Sequence, residues 1–193
     1  PPAPATLIGI EKLGFNVTQV YGLTETYGHV VECLWDSIWD GLPEADKSAL
    51  KARQGVAMPM MDMTTVVDST GTQIPMDGKT QGEIVMRGNS VMKGYYKNPE
   101  ATKKAFLGGF FHSEDIAMQH SNSMMQIADR MKDIIISGGE NISSIEVEGA
   151  IMAHPAVSLC AVVAKPDDKW GEVPCAFVEL LPGKSATETE VIG

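Results

Sequence analysis

Five residues carrying four charges, Asp129-Arg130-Met131-Lys132-Asp133, run straight into the apolar stretch Ile134-Ile135-Ile136, which breaks at Ser137-Gly138-Gly139-Glu140-Asn141. A charge cluster of this kind is either a solvated turn with local ion pairs or a hinge between two bodies. The chain has a different texture on each side of it, which places a boundary near 130–132.

Upstream, Thr6 to Phe15 reads as a helix with Leu7, Ile10 and Leu13 on one face and Gly14 at its stop. Val17 to Tyr21 reads as a short strand after it, the helix–strand–loop arrangement of α/β proteins in which ligands bind at strand ends. Pro43 to Gln54 reads as a surface helix. From Gly55 to Arg87 the texture is β-rich: Thr64 to Asp68 and Gly82 to Arg87 are strands, punctuated at Gly71 and Asp77-Gly78. Asn98-Pro99-Glu100 starts a helix through Phe106, with Gly108-Gly109 as its stop, and strands follow over 115–119 and 124–128. Beyond the cluster, 134–137 is a strand. Ser143 and Glu146 form a capping box opening a helix to about Ala153, and strands over 157–164 and 175–181 close the pattern. The fold class is therefore α/β together with α+β.

Composition narrows the function. The 193 residues make one medium or two small domains, and a 44% hydrophobic fraction supports a core. A net charge of −10 argues against a nucleic-acid partner and an anionic membrane surface. Cys33, Cys160 and Cys175 are scattered without metal-ligand spacing, and their odd number suits a reducing, cytoplasmic compartment. The twelve methionines read as core filler. No apolar run is long enough to span a membrane. Pro1 to Ala5 lacks the shape of a signal peptide, and with no initial Met the chain is expected to be a piece of a longer protein.

Two blocks carry chemistry. Tyr21-Gly22-Leu23-Thr24-Glu25 delivers an aromatic ring, a glycine, a hydroxyl and a carboxylate at a strand end. It is either a β-turn with a capping threonine or a nucleotide loop whose carboxylate holds Mg²⁺. Ser113-Glu114-Asp115 ends on a carboxylate whose two oxygens match the two hydroxyls of a ribose, while His112 reads as packing or pocket rim. Gly138-Gly139-Glu140 allows close backbone approach or is simply a turn. Gly82-Glu83-Ile84 and Met92-Lys93-Gly94-Tyr95-Tyr96 read as turns and packing.

The order of these five blocks, and the uninterrupted stretch Lys132 to Ile142, resembles the carboxyl-terminal portion of the adenylate-forming (AMP-binding) superfamily, its acyl-CoA synthetase and fatty-acyl-CoA ligase branch above all. The resemblance implies an AMP-forming acid–thiol ligase that joins a small-molecule carboxylic acid, fatty or medium-chain, to coenzyme A through an acyl-adenylate. ATP, AMP, Mg²⁺ and coenzyme A are the implied cofactors. Tyr21 and Gly22 would line the adenine site, with Tyr21 stacking. Thr24 would bind the α-phosphate and Glu25 would hold Mg²⁺. Asp115, helped by Arg130, would bind the ribose. Lys132 would be the hinge, and Gly138, Gly139 and Glu140 would line the pantetheine tunnel. The implied organisation is the tail of the large domain over 1–129, with a β-subdomain over 55–129. The hinge follows at 130–132, and an incomplete mobile domain covers 133–193. The family's phosphate loop and activating lysine are expected outside these 193 residues, leaving the piece inactive alone. Glu114 stands where the family has glycine, which implies a strained backbone and a misplaced negative charge. An adenylate-forming enzyme with a carrier-protein acceptor, and a non-catalytic nucleotide-binding relative, are the alternatives.

Overall fold

The computed structural model describes residues 4–192; Gly193 and the leader reading at Pro1–Ala3 lie outside the described residues. The chain divides into two units, Pro1–Ile127 and Ala128–Gly193. Among the described residues it is an α/β structure with three sheets and few helices.

In the first unit, α1 (Pro4–Lys12) leads to β1 (Val20–Leu23), which turns through Thr24–Thr26 into β2 (Gly28–Glu32). After α2 (Glu44–Lys51), β3 (Val56–Ala57) completes an antiparallel sheet in the order β1-β2-β3. The strand predicted over 17–21 thus starts later, at Val20, and pairs antiparallel with its sequence neighbour β2. Gly22 explains the tight pairing: a Cβ there would lie 2.0 Å from the Gly28 carbonyl oxygen and 2.5 Å from His29 Cα. Helix α1 stops at Lys12, short of the predicted Phe15. Leu7 is buried, but Ile10 and Leu13 are 36% and 77% exposed, so the expected apolar face puts one residue into the core.

The second sheet holds β4 (Met61–Val67) and β5 (Gln81–Gly88). After α3 (Pro99–Ala105) come β6 (Phe106–Leu107), β7 (Phe110–Gln119) and β8 (Met125–Arg130). Its order is β4-β5-β7-β6, with β8 also paired to β7. Asx turns close the loops between β4 and β5: Asp68 accepts the Thr70 and Thr72 amides, and Asp77 those of Lys79 and Thr80. Asn98 caps α3 by accepting the Ala101 N–H at 3.1 Å, with Pro99 in the first turn. Helix α3 ends before Phe106, because Phe106-Leu107 pairs with Phe110-Phe111 across Gly108-Gly109. The double glycine therefore closes a hairpin whose Phe106 and Phe111 rings sit 5.7 Å apart. Val30, Val66, Ile84, Met86, Phe111 and the ring of Tyr21 share one core.

The second unit contains β9 (Ile135–Ser137), β10 (Glu140–Ile142), α4 (Ser144–Met152), β11 (Val157–Asp167), β12 (Gly171–Leu180) and α5 (Glu188–Ile192). Its sheet runs β10-β9-β12-β11, all antiparallel, over a core of Ile135, Val157, Cys160 and Val162. Asp129, expected in a solvated cluster, is only 2% exposed. Its carboxylate accepts the Ser144 N–H at 2.6 Å and the Ser144 hydroxyl at 3.0 Å, while Ser143 Oγ accepts the Glu146 N–H at 3.2 Å. Both serve the unsatisfied amides and positive end of α4. No described helix is long and apolar enough to cross a membrane.

Candidate functional site

The predicted site residues of the first unit gather around the end of β1. Tyr21 and Asp115 are 94 positions apart, yet the Tyr21 hydroxyl donates to Asp115 Oδ2 at 2.7 Å. Tyr21 is 7% and Asp115 5% exposed. A carboxylate that far from water needs hydrogen bonds to offset desolvation, and a phenol supplies a strong one.

Thr24 and Glu25 lie in the short 3-10 turn Thr24–Thr26. Buried Thr26 holds this turn in shape: its hydroxyl accepts the Leu23 N–H at 2.8 Å and donates to the Gly28 carbonyl at 2.7 Å. That leaves Thr24 exposed and Glu25 half-buried. The Glu25 carboxylate accepts the Tyr95 hydroxyl at 3.0 Å, and its carbonyl accepts the Met92 N–H at 2.7 Å. Burial and the bonded Glu25 carboxylate raise the Tyr95 phenol above its usual value. Among the described residues no cluster of three or more His, Cys, Asp or Glu forms a metal cage. A single hard carboxylate of this kind fits Mg²⁺, which takes one or two carboxylates and fills its remaining positions with phosphate oxygens and water.

Asp115 is carried on a bulge. Glu83 pairs with Ile116 and Val85 with His112, so Ser113, Glu114 and Asp115 stand opposite the single residue Ile84. The implied strain at Glu114 is present, with φ at 59°. Its carboxylate is met by Lys104 Nζ at 3.3 Å, which balances the extra negative charge locally. His112 pairs through Nδ1 with Glu83 at 2.7 Å.

The other predicted residues belong to the second unit. Arg130 ends β8, and exposed Lys132 lies in the turn that follows, where the Arg130 carbonyl accepts the Asp133 N–H at 2.9 Å. Gly138 and Gly139 form the two-residue turn between β9 and β10 at φ 59° and 87°, both in the region such a turn demands. A Cβ at Gly138 would meet the Trp170 ring at 2.7 Å. Glu140 follows, exposed at the start of β10.

Two contributors were not legible as site residues: Tyr95, which reads as packing, and Glu83, which reads as part of a turn. Their signal lay only in belonging to compact blocks placed between the two chemical ones.

A model described as AMP-binding enzyme matches residues 1–96, and one described as AMP-binding enzyme C-terminal domain matches residues 146–193. The peroxisomal acetate/butyrate–CoA ligase AAE7 of Arabidopsis thaliana is 54% identical over 180 residues, covering 93% of this chain and 32% of that protein. The chain belongs to the adenylate-forming, AMP-binding enzyme superfamily. Other superfamily relatives include acetate–CoA ligase CCL3 of Humulus lupulus, 50% identical over 99% of this chain and 34% of that protein. The 4-hydroxybutyrate–CoA ligase 2 of Metallosphaera sedula is 50% identical over 99% of this chain and 35% of its own length. The chain thus spans about a third of the curated relatives it matches. Among solved structures, o-succinylbenzoate CoA synthetase of Bacillus subtilis with its acyl-adenylate aligns with TM-score 0.80 and 29% identity, over 99% of this chain and 36% of that one. ATP-bound MatB of Rhodopseudomonas palustris aligns with TM-score 0.79 and 32% identity, over 92% of this chain and 33% of that one.

Proposed function

We propose that this chain is the AMP-gripping part of an AMP-forming acid–thiol ligase. A carboxylate attacks the α-phosphate of ATP to give acyl-adenylate and pyrophosphate, and the thiol of coenzyme A then displaces AMP to give the thioester. The observation that carries this reading is the 2.7 Å bond between Tyr21 and Asp115, which joins two motif blocks around one point in the first unit. Asp115 binds the ribose hydroxyls, and Tyr21 and Gly22 line the adenine side. Thr24 donates to the α-phosphate. Glu25 holds Mg²⁺, whose charge offsets that of the phosphates. Positioning and charge neutralisation are what phosphate chemistry chiefly requires. Arg130 adds a second ribose contact and Lys132 serves as the pivot of the terminal domain. Gly138, Gly139 and Glu140 line the path of the pantetheine arm.

Of the relatives whose names state a substrate, four give small aliphatic acids, namely acetate with butyrate, acetate, 2-methylpropanoate and 4-hydroxybutyrate, and one gives the larger aromatic trans-cinnamate. A short-chain carboxylate is therefore proposed ahead of the fatty or medium-chain acid that the motifs suggest. Three relatives are named as peroxisomal, so imaging of the tagged protein sets the expected cytoplasmic location against a peroxisomal one. The 193 residues alone are proposed to be inactive, for want of a recognisable phosphate loop and adenylation lysine. The test is AMP formation from ATP, coenzyme A and acids from acetate to dodecanoate, run on the protein as the cell makes it and on these 193 residues. Acid-dependent turnover in the first and none in the second is expected. No acid-dependent AMP from the cellular protein would overturn the ligase reading, and equal turnover by both would overturn the inactivity.

A further inference from the structure

We propose that Glu83 is a positioning residue for the nucleotide site, a clamp that holds the Ser113–Asp115 bulge so that Asp115 faces Tyr21 and, on the reading above, the ribose. The ladder between β5 and β7 passes from Glu83↔Ile116 to Val85↔His112, so one residue on β5 opposes three on β7. The two surplus residues must be extruded, and bulges of this kind re-aim side chains beside active sites. The extruded middle residue, Glu114, has φ 59°, a conformation that disfavours any residue with a Cβ. Such a conformation persists only where neighbours over-determine it.

Glu83 supplies that constraint. Its Oε1 accepts the Glu114 N–H at 2.9 Å, and its Oε2 pairs with His112 Nδ1 at 2.7 Å, which fixes the plane of the carboxylate. The Glu83 side chain is 17% exposed, so these are charge-assisted bonds largely removed from water. Ser113 completes the stitching: its hydroxyl donates to the Ile84 carbonyl at 2.8 Å and accepts the Asp115 N–H at 3.1 Å. Glu83 acts on Asp115 through the backbone of Glu114. Glycine at 114 adopts the same φ without help, so a glycine there lessens the load on the Glu83 clamp.

That dependence gives a test with a ligand-free arm. The ring ζ-carbon signal of Tyr21, one of four tyrosines, reports its bond to Asp115 in ¹³C-tyrosine-labelled chain, and AMP affinity is measured on the same samples. In Glu83→Ala the Tyr21 signal shifts and AMP binding weakens about tenfold, equivalent to about 1.4 kcal/mol. Adding Glu114→Gly returns the signal and brings affinity to within about twofold of wild type, as expected if glycine alone supplies the backbone freedom. Glu114→Gly alone, measured beside it, gives the general gain from a glycine at this φ, and only rescue of the Tyr21 signal beyond that gain belongs to the clamp. If Glu83→Ala does not fold, a folded spectrum in the double variant supports the clamp and its absence overturns it. An unmoved Tyr21 signal in Glu83→Ala, or a double variant no better than the single, also overturns it. Failure of wild type to bind AMP strikes the functional reading alone, since the Tyr21 signal tests the bulge without nucleotide.

Discussion

Replacing Gly22 with alanine tests whether the site depends on the close approach of β1 and β2. The added Cβ would lie 2.0 Å from the Gly28 carbonyl oxygen, 2.5 Å from His29 Cα and 2.6 Å from the Gly28 carbonyl carbon, all backbone atoms with no rotamer to yield. Relief requires the strands to part by more than an ångström where Gly22 pairs with His29 and Leu23 with Gly28. Overpacking of this kind costs about 1–3 kcal/mol, and loss of two backbone hydrogen bonds adds about 1 kcal/mol each. The sum, about 3–5 kcal/mol, lowers amide protection by roughly two to three and a half powers of ten. The readout is native-state hydrogen exchange at Val31, fully buried and paired on both sides. A loss below about 1 kcal/mol, within the range of an ordinary point substitution, would refute the reasoning.

Three further outcomes follow from the same geometry. Gly149→Ala, inside α4 with nothing within 4 Å of its added Cβ, stabilises the second unit by about 0.5–1 kcal/mol, measured by thermal melting. Asp77 is held down at about 2 by the Thr80 and Lys79 amides and the Thr80 hydroxyl. Its depressed value means its stabilisation is present above the ordinary carboxylate value and lost as pH falls from near 4 through about 2, read from Thr80 amide exchange. Tyr95 titrates above the ordinary phenol value, and Glu25→Gln, which removes the charge on its partner, lowers that value in a 295 nm absorbance titration.

Local chemistry was legible in the sequence where it is local in the structure. The caps at Asn98 and Ser143 and the turn at Gly138-Gly139 follow from residue types within three or four positions. The β4–β5 pair follows from β-branched runs bounded by Asx turns. What depends on distant partners was not legible. The antiparallel return of β1 depends on the backbone approach at Gly22. Gly108-Gly109 suits a helix stop and a hairpin equally, and the packing of Phe106 on Phe111 decides for the hairpin. Asp129 looks solvated among its charged neighbours, yet it is buried because the amide end of α4, 15 residues away, needs an acceptor. At the site, the motif residues Tyr21 and Asp115 were legible by resemblance, whereas Glu83 and Tyr95 gain meaning only from contacts 31 and 70 positions away.

The account rests on Tyr21, Thr24 and Asp115 addressing different parts of one AMP molecule, and paired affinities for AMP and adenosine in the protein as the cell makes it test this directly. Asp115→Ala removes ribose contacts common to both ligands and weakens both by about tenfold or more, whereas Thr24→Ala removes a phosphate contact and weakens AMP alone by about three- to tenfold. Unchanged affinity for both ligands in Asp115→Ala would contradict the account.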